Sequence, residues 1–504
     1  MEKQLSFVLK LSLEEMALRR VVVNLWNEAD VLATIKDSRV KELADDAYRE
    51  PLQIRQYKKC KEWRVTVENK VKTKVSKLVL PESLKKRMMH TVTPIGLQIQ
   101  EWEMIMDEHL RDSREDLDIR LLEQLCWTYA GKIDFQKTVE KLVSLEMLDP
   151  GKRYRLACLY CLEDSISVLW EELPEDYKTC FRDEPYVMPA FEVQMEFYWA
   201  DVLKGEESKL DHILTRSNPC TTFRQYAFER SAYRGNRALT EYFFQKLTYE
   251  ERDSSVINSA CNVVEILCKK SSFGVSFDFP TENPCGVLCY LLSVMTSEEQ
   301  MQVFKKHPVG VLICLLDWPW QDIFLEIADF IWTVLPETKY ELLTAAICVK
   351  IKSAGYYFPN LIQKFFLRSP SDFRRSFIRE FSFIFRDFSY PEDTETIKVL
   401  FRNIDLEDRK QLASSHWFPE FLKGFILEDN WNLVELGLRE ATLSEKDRQT
   451  MQFYTNWYIT LTFEGEEGRD KVRRLKRCFE SLDEAEASAP DIRSSEINHW
   501  QTLW

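Results

Sequence analysis

The sequence TEYFFQKLTYEE, residues 240–251, contains the two signals that decide the fold of this chain. Four of its side chains recur at the spacing i, i+3, i+4, i+7, which places them on one stripe of an α-helix. The members of this stripe are Thr240, Phe243, Phe244 and Leu247. Directly after it, Thr248 and Glu251 match a capping box, which marks the start of a new helix. The stretch therefore predicts a helix, a tight break and a second helix.

The same stripe occurs at four other places in the chain. These copies are Ile166/Leu169/Trp170/Leu173, Leu288/Leu291/Leu292/Met295, Ala328/Ile331/Trp332/Leu335 and Ile397/Leu400/Phe401/Ile404. Each copy leads directly into a residue suited to the start of a helix, namely Pro174, Thr296, Pro336 or Asp405. Thr296 and Glu299 match a second capping box. Pro174 and Pro336 fit a first helical turn, where proline loses no hydrogen bond.

Weaker copies of the stripe fill the intervals between the strong ones. The nine end points, from Leu142 to Ala441, lie about 37 residues apart, which is typical of a two-helix repeat. We therefore predict an all-α fold and, more specifically, an α-solenoid of helix-turn-helix repeats. Surface helices of any large helical protein carry similar stripes, so an ordinary helical fold is the alternative.

Composition supports a helical protein of the cell interior. Glycine provides only 13 of the 504 residues, so few turns can adopt positive φ and few loops can cradle a phosphate group. The 13 cysteines are scattered through apolar stretches, which favours buried thiols in a reducing compartment. The longest apolar run, Val309–Leu316, is too short to cross a bilayer. We expect a cytoplasmic protein without a membrane span.

Three regions can be separated along the chain. Residues 1–120 lack the repeat pattern and form a helical N-terminal region, residues 121–450 hold the helical repeats, and residues 451–504 form a C-terminal capping helix and a polar tail. Near Gly465 the chain breaks before a basic helix in which Val472, Leu475 and Phe479 share one face. A cap for the last repeat is the expected role of that helix, and a membrane-surface or calmodulin-target helix is the alternative.

The N-terminal region contains a basic segment at residues 55–87. It carries twelve Lys or Arg residues and three acids, within a chain of net charge −14. Such a segment could bind nucleic acid or an anionic surface, and the residues that would contribute are Lys58, Lys59, Lys72 and Lys74. Alternatively, its lysines form a solvated helix face that pairs with the acidic solenoid of the same chain. We favour this alternative and do not expect nucleic acid as the main partner.

No pattern of catalytic or ligand-binding residues is recognisable. The chain has no His-Glu-x-x-His, no P-loop, no GxGxxG and no GxSxG. Cys158 and Cys161 form an isolated CxxC on a helix pattern, which we interpret as a structural thiol pair. We therefore predict a protein that is not an enzyme and that uses no metal or cofactor.

Aromatic residues are abundant, at 13% of the chain with 14 Trp. Most of them are expected in the core between stacked helices, where large rings bury much area. Some could line a concave solenoid face and bind a partner, because Trp and Tyr are common in binding hot spots. Trp318 and Trp320, which flank a proline, are the candidates for this role.

One unit resembles a known repeat family. Ala232-Tyr-Arg-Gly-Asn-Arg-Ala-Leu239, followed by Glu241-Tyr-Phe-Phe, is similar to an ankyrin repeat, with an alanine-bearing first helix, a Gly-Asn turn and a second helix. The Thr-Pro-Leu-His opening of ankyrin repeats does not occur in the sequence. The chain as a whole is similar to divergent helical-repeat proteins of the degenerate ankyrin or HEAT-like type. This resemblance implies protein–protein interaction and carries over no binding residues.

From these observations we predict a non-catalytic scaffold that binds an unknown protein partner on the concave face of the solenoid. Binding of nucleic acid or an anionic surface through residues 55–87 is the alternative. The sequence does not define the oligomeric state.

Overall fold

A computed structural model describes most of the chain. The described residues are 5, 7–44, 64–110, 119–181, 191–207, 209, 211, 222–272, 284–336, 339, 343, 359–374, 393–414, 417–427, 429–441, 444–463 and 465–488. Within these ranges the secondary structure is helical and no β-strand is present, apart from an isolated bridge between Trp127 and Ile133. The prediction of an all-α fold is confirmed. The finer prediction of a solenoid stays a prediction.

The chain separates into two compact units. Unit 1 comprises residues 1–334 and 353–357, and unit 2 comprises residues 335–352 and 358–504. The boundaries predicted near residues 120 and 450 stay predictions. Lys58 and Lys59, which belong to the predicted basic site, lie outside the described residues.

Unit 1 contains helices α1 to α16, together with a π-helical segment at Arg64–Glu68 and a 3₁₀ segment at Ile119–Gln124. The helices are α1 (Leu13–Trp26), α2 (Ala29–Ala44), α3 (Asn69–Lys77), α4 (Glu82–Leu110), α5 (Phe135–Val143), α6 (Pro150–Leu159), α7 (Glu163–Glu172), α8 (Glu175–Thr179), α9 (Phe191–Lys204), α10 (Phe223–Arg234), α11 (Arg237–Lys246), α12 (Tyr249–Ser272), α13 (Pro284–Val294), α14 (Ser297–Lys306), α15 (Pro308–Cys314) and α16 (Gln321–Ile331). Most of them pack on helices close by in the sequence. For example, α10 and α11 form a hairpin, and α12 packs on α10, α13, α14 and α15.

Seven helices are described in unit 2. They are α17 (Pro359–Arg368), α18 (Asp393–Arg402), α19 (Leu406–Ser414), α20 (Trp417–Leu427), α21 (Trp431–Glu440), α22 (Glu445–Thr462) and α23 (Gly465–Ser488). Helices α20 and α21 pack on each other. The last two helices pack on each other as well, and they also contact the preceding pair, α22 on α20 and α23 on α21. The hairpin of α22 and α23 is therefore the last layer of unit 2 in the described chain.

The apolar stripes identified in the sequence lie in the core. In all five copies the first, second and fourth members are buried. The third member, at i+4, is buried at Leu292 and Phe401 but only half-buried at Trp170, Phe244 and Trp332. On a helical wheel, the i+4 position lies at the edge of the face that the other three define. In three of the five copies, the second and third members thus contribute one core side chain and one side chain at the rim of the core.

The predicted breaks at Thr248 and Thr296 are present and capped, whereas the helix predicted after Pro336 lies mostly outside the described residues. The Thr248 N–H donates to Glu251 Oε2 at 2.8 Å, and the Glu251 N–H donates back to Thr248 Oγ1 at 3.2 Å. Thr296 and Glu299 form the same reciprocal pair before α14. Pro174 differs from the prediction, because it occupies the N-cap with extended backbone rather than the first turn, and α8 begins at Glu175. Proline forces the preceding residue, here Leu173, into an extended conformation, which separates α7 from α8.

The turn between α10 and α11 explains why the one polar member of the five stripes is tolerated. Gly235 adopts φ +75°, a left-handed conformation that favours glycine at the end of a helix. Asn236 caps α11 by accepting the Leu239 N–H at 3.0 Å, and its amide donates to the Leu159 carbonyl at 3.1 Å. The Thr240 hydroxyl donates to the Asn236 carbonyl at 2.6 Å. Every polar atom named here has a partner inside the core, as burial requires.

A buried arginine on α1 connects distant parts of unit 1. Arg19 donates from Nη1 to the Ala130 carbonyl at 3.2 Å, and its Nη2 lies 3.4 Å from Asp322 Oδ2. Its Nε lies 3.1 Å from Glu15 Oε1, and the guanidinium stacks over the Trp318 ring at 4.2 Å from the ring centroid. Burial raises the pKa of the Asp322 carboxyl, and the charge of Arg19 offsets this only in part. Arg19 therefore holds the N-terminal helix to residues about 300 positions away.

The adjacent residues Phe243 and Phe244 of α11 provide a matched test of which side of the helix faces the core. Replacing the buried Phe243 by Ala should lower the free energy of unfolding by about 3–5 kcal/mol, because a large ring is removed from the core. Replacing the half-buried neighbour Phe244 by Ala should lower the free energy of unfolding by less than about 2 kcal/mol, because its ring already contacts solvent. Urea unfolding followed by circular dichroism measures both. Equal losses at the two positions would contradict the assignment of the core face.

The role of Arg19 can be tested against its exposed neighbour. Arg19→Leu should lower the free energy of unfolding by about 2–4 kcal/mol, because it leaves partly buried carboxylates and a carbonyl without their donor. Arg19→Lys should recover only part of this loss, because an ammonium cannot stack and donate in several directions as a guanidinium does. Arg20→Leu, on the exposed side of α1, should change stability by less than about 0.5 kcal/mol. Similar losses of stability in Arg19→Leu and Arg20→Leu would refute the conclusion that the buried contacts of Arg19 stabilise unit 1.

Candidate protein-binding face

Helix α22 has a well-defined start. Ser444 occupies the N-cap and its Oγ accepts the Asp447 N–H at 3.2 Å, while Asp447 accepts the Ser444 N–H at 3.3 Å. This capping box matches the start signal that the sequence shows after Ala441. The helix then continues for 18 residues to Thr462.

One side of α22 faces the interior of unit 2. Met451, Thr455 and Ile459 are buried, and their spacing of four residues places them on one stripe. Helices α19 and α20 pack against α22. This stripe accounts for the attachment of the helix to unit 2.

The opposite side of α22 carries four large apolar or aromatic side chains that face solvent. Phe453 is 67% exposed, Tyr454 46%, Trp457 50% and Leu461 65%. Neighbouring rings contact each other, with centroids 5.6 Å apart for Phe453 and Tyr454. We call these four residues the outer aromatic row. Contiguous exposed apolar side chains of this kind are uncommon on soluble monomers and mark interaction sites.

Helix α22 is therefore apolar on two opposite sides, and residues 449–462 contain no charged side chain. A helix that is apolar all round is normally covered on all sides. The two sides can be recognised in the sequence, because Met451, Thr455 and Ile459 recur every four residues, and so do Phe453, Trp457 and Leu461. The abundance of aromatic residues is evident from the sequence, but their count alone does not predict this row.

Two glycines shape the turn that follows α22. Phe463 has extended backbone and ends the helix, and Gly465 adopts φ +68°, which favours glycine. A Cβ atom on Gly468 would lie 2.5 Å from the Phe463 carbonyl oxygen, so only glycine fits there. The break predicted near Gly465 is confirmed. The second helix, however, already begins at Gly465 and extends to Ser488.

Helix α23 is fixed to unit 2 by apolar and charged contacts. Leu475 and Phe479 are buried and Val472 is half-buried, which confirms the shared face predicted for these residues. Lys471 is buried, and its Nζ donates to the Ile426 carbonyl at 3.2 Å and to Asp429 Oδ1 at 2.8 Å. The hydrogen bond from Lys471 lowers the pKa of the Asp429 carboxyl, with further contributions from Trp431 and Arg474.

The outward side of α23 carries a group of basic residues between the exposed acids Glu466 and Glu480. Four exposed residues form what we call the outer basic row, and they are Arg469, Arg473, Lys476 and Arg477. Two of them have ion pairs within the helix, Arg473 with Asp470 and Lys476 with Glu480, each at 3.6 Å and each exposed. Exposed pairs of this kind contribute little energy, about 0.3–0.5 kcal/mol, so a partner can replace them.

The two outer rows lie on the same side of the hairpin. The inner stripe of α22 faces the preceding layer, and the buried side of α23 faces α21 and α22, so both exposed sides point away from that layer. Adjacent packed helices have axes about 8–10 Å apart. Because α22 and α23 are joined by a short turn and pack on each other, Leu461, Trp457 and Phe453 lie at about the same levels along the hairpin as Arg469, Arg473 and Lys476. The hairpin thus exposes an aromatic row on one helix and a basic row on the helix packed against it.

Lys72 and Lys74, the two described lysines of the predicted basic site, have acidic partners in the same chain. Lys74 Nζ lies 2.6 Å from Glu28 Oε2 and 2.9 Å from Asp30 Oδ2, and these carboxylates raise the pKa of Lys74. Lys72 Nζ lies 2.5 Å from Glu68 Oε1. The partner acids belong to the N-terminal region rather than to residues 121–450. The expected pairing with the acidic solenoid is therefore not seen for Lys72 or Lys74, whose partners lie close by in the N-terminal region.

Trp318 and Trp320 lie in unit 1 and are each 8% exposed. The Trp318 indole donates to the Gly131 carbonyl at 3.4 Å and its ring stacks with Arg19. Within unit 1, the Trp318 ring therefore lies against Arg19 rather than against Lys72 or Lys74. Binding of a partner through Trp318 and Trp320 stays a prediction, although little of either ring faces solvent.

Among the described residues, no group of three or more His, Cys, Asp or Glu side chains has the arrangement of a metal site. Cys158 and Cys161 are free thiols, and burial raises the pKa of both. Such thiols react slowly, because the thiolate is the reactive form. No helix in the part of the chain that the structure describes is long and apolar enough to span a bilayer.

Comparison with known proteins gives no relative from which a site could be transferred. No model of a known protein family matches the chain, and no curated protein matches it either. The candidate face therefore rests on its own geometry.

The alternative of nucleic-acid binding makes a measurable prediction. Because the described lysines are paired with carboxylates, we expect the intact chain to bind oligonucleotides with a dissociation constant weaker than about 10⁻⁴ M at physiological salt. Fluorescence anisotropy with a labelled single strand and a labelled duplex measures this at low and moderate salt. Tight, salt-sensitive binding would overturn the expectation if it were abolished by charge reversal of Lys58, Lys59, Lys72 and Lys74.

Proposed function

We propose that this chain is a non-catalytic helical-repeat protein that binds a protein partner, and that the outer aromatic row on α22 is a principal contact. The exposure of Phe453, Tyr454, Trp457 and Leu461 on one side of a single helix is the observation that carries this proposal. Buried aromatic anchors supply much of the binding energy in protein interfaces, and Trp and Tyr are enriched among them.

The position of the row at the last layer of unit 2 strengthens the proposal. A terminal layer of a helical-repeat protein requires a polar outer side to remain soluble. Helix α22 instead exposes an uncharged aromatic side, so it lacks the property of a simple cap. A partner that covers the row would remove this apolar surface from water.

The sequence supports the same class of function. The helix–break–helix stripes and the likeness of residues 232–244 to an ankyrin repeat favour a helical-repeat protein, a class that provides extended binding surfaces. A concave solenoid face on residues 121–450 is part of this proposal as a second contact region. Fold-level likeness is weak support for function, so the outer aromatic row carries the argument.

Serine substitutions on the row test the proposed function. Trp457→Ser combined with Leu461→Ser should abolish capture of protein partners from a lysate of the source cells at moderate salt, because it removes the apolar anchors. Since both side chains are exposed, the free energy of unfolding should change by less than about 1 kcal/mol.

The control is Val168→Ser, which changes an apolar residue on α7 that is 58% exposed but stands alone. It should leave capture unchanged. The proposal fails if the intact chain retains no protein above background, or if the retained proteins are the same for the double variant and the control.

A further inference from the structure

We infer that the partner presents an amphipathic α-helix with acidic residues beside its apolar stripe, and that this helix lies along the outer aromatic row and the outer basic row. This inference rests on the proposed function and names the chemistry of the partner. Three features of the α22–α23 hairpin support it, namely the length of the aromatic row, the packing of the helix that carries the basic row against α22, and the charge of residues 469–477.

The length of the row suits a helix. From Phe453 to Leu461 the row covers about 12 Å, because an α-helix rises 1.5 Å per residue. A partner helix packed alongside would offer three or four apolar side chains over that length at the spacing i, i+3 or i+4, and i+7. The row is held on a capped helix within a packed layer, so little conformational entropy is lost when a partner binds.

The packing of α23 on α22 suits a partner helix that contacts both rows. Helices packed side by side have axes about 8–10 Å apart, and a helix with side chains is about 10 Å wide. A helix seated on Trp457 therefore brings one of its flanks near Arg473 and Lys476. Guanidinium groups bind carboxylates in a planar, two-pronged geometry, so glutamate or aspartate on that flank is the expected complement.

The charge of residues 469–477 indicates which charge the flank of the partner helix should carry. Residues 469–477 contain six Lys or Arg and one acid, in a chain whose net charge is −14. Lys471 and Arg474 are directed to Asp429, whereas the outer basic row faces solvent. An acidic flank would be attracted to this row, and a basic flank would be repelled.

Other anionic partners fit less well. A bilayer with anionic lipids or a nucleic acid presents an extended negative surface, which the net charge of −14 would repel over a Debye length of about 8 Å at physiological salt. A single amphipathic helix needs to meet only the hairpin. Its apolar stripe also covers the aromatic row along its whole length.

Two designed peptides of about 18 residues test the inference with the intact chain. Both carry Leu at the spacing of one apolar stripe, and the flanks carry Glu in one peptide and Lys in the other. Fluorescence anisotropy should show the Glu peptide binding at least about tenfold tighter than the Lys peptide. The charge-reversal variant Arg473→Glu with Lys476→Glu should reverse this preference, while Trp457→Ser should weaken binding of the Glu peptide.

Several results would overturn the inference. These are equal or tighter binding of the Lys peptide, no effect of the charge reversal, and binding of neither peptide. Sedimentation with vesicles of phosphatidylcholine and phosphatidylserine, without peptide binding, would assign the face to membranes. A dimer in sedimentation velocity that Trp457→Ser dissociates would assign it to a second copy of the chain.

The same measurements separate this inference from the proposed function. If Trp457→Ser weakens binding of both peptides while charge reversal has no effect, the outer aromatic row is still a protein-binding site and only the acidic partner class is wrong. If Trp457→Ser leaves peptide binding unchanged, the row is not the site and both proposals fail.

Discussion

Burial of an apolar stripe between helices is the constraint on which this structure depends. Most helices here are 9 to 16 residues long, and isolated helices of that length are marginal in water. Each therefore gains its stability from packing one stripe against neighbours, and the capped breaks at Thr248, Thr296 and Ser444 set where each stripe ends. Helix α22 departs from this pattern, because it has two apolar sides and the described chain covers one of them.

Polar groups inside unit 1 are consistent with the same constraint. The Asn236 amide donates to the Leu159 carbonyl, and the Thr240 hydroxyl donates to the Asn236 carbonyl. These hydrogen bonds replace those that the two side chains would make to water, so a polar residue can occupy a core stripe. Arg19 acts over a longer range, since it joins α1 to Ala130 and Asp322. Such groups stabilise the fold only while every partner is present, which makes them sensitive to single substitutions.

Local patterns could be predicted from the sequence, whereas the use of individual side chains could not. The stripes and capping boxes depend on residues within one or two turns, and the all-α class followed from them. The contacts of Trp318 are with Arg19 and Gly131, which are distant in the sequence, so no local pattern indicated its burial. Likewise, the exposure of Phe453 depends on which helices pack on α22. The spacing of the apolar residues of α22 is visible in the sequence, but it does not show which side of the helix other helices of the chain cover.

The central claim is that the outer aromatic row contacts a protein partner. A photo-crosslinking amino acid at position 457 of the intact chain tests this directly, with the same amino acid at the isolated exposed position 168 as the control. Illumination in a lysate of the source cells should give a discrete protein adduct from position 457 and none from position 168. The absence of an adduct at 457, or the same adducts from both positions, would contradict the account.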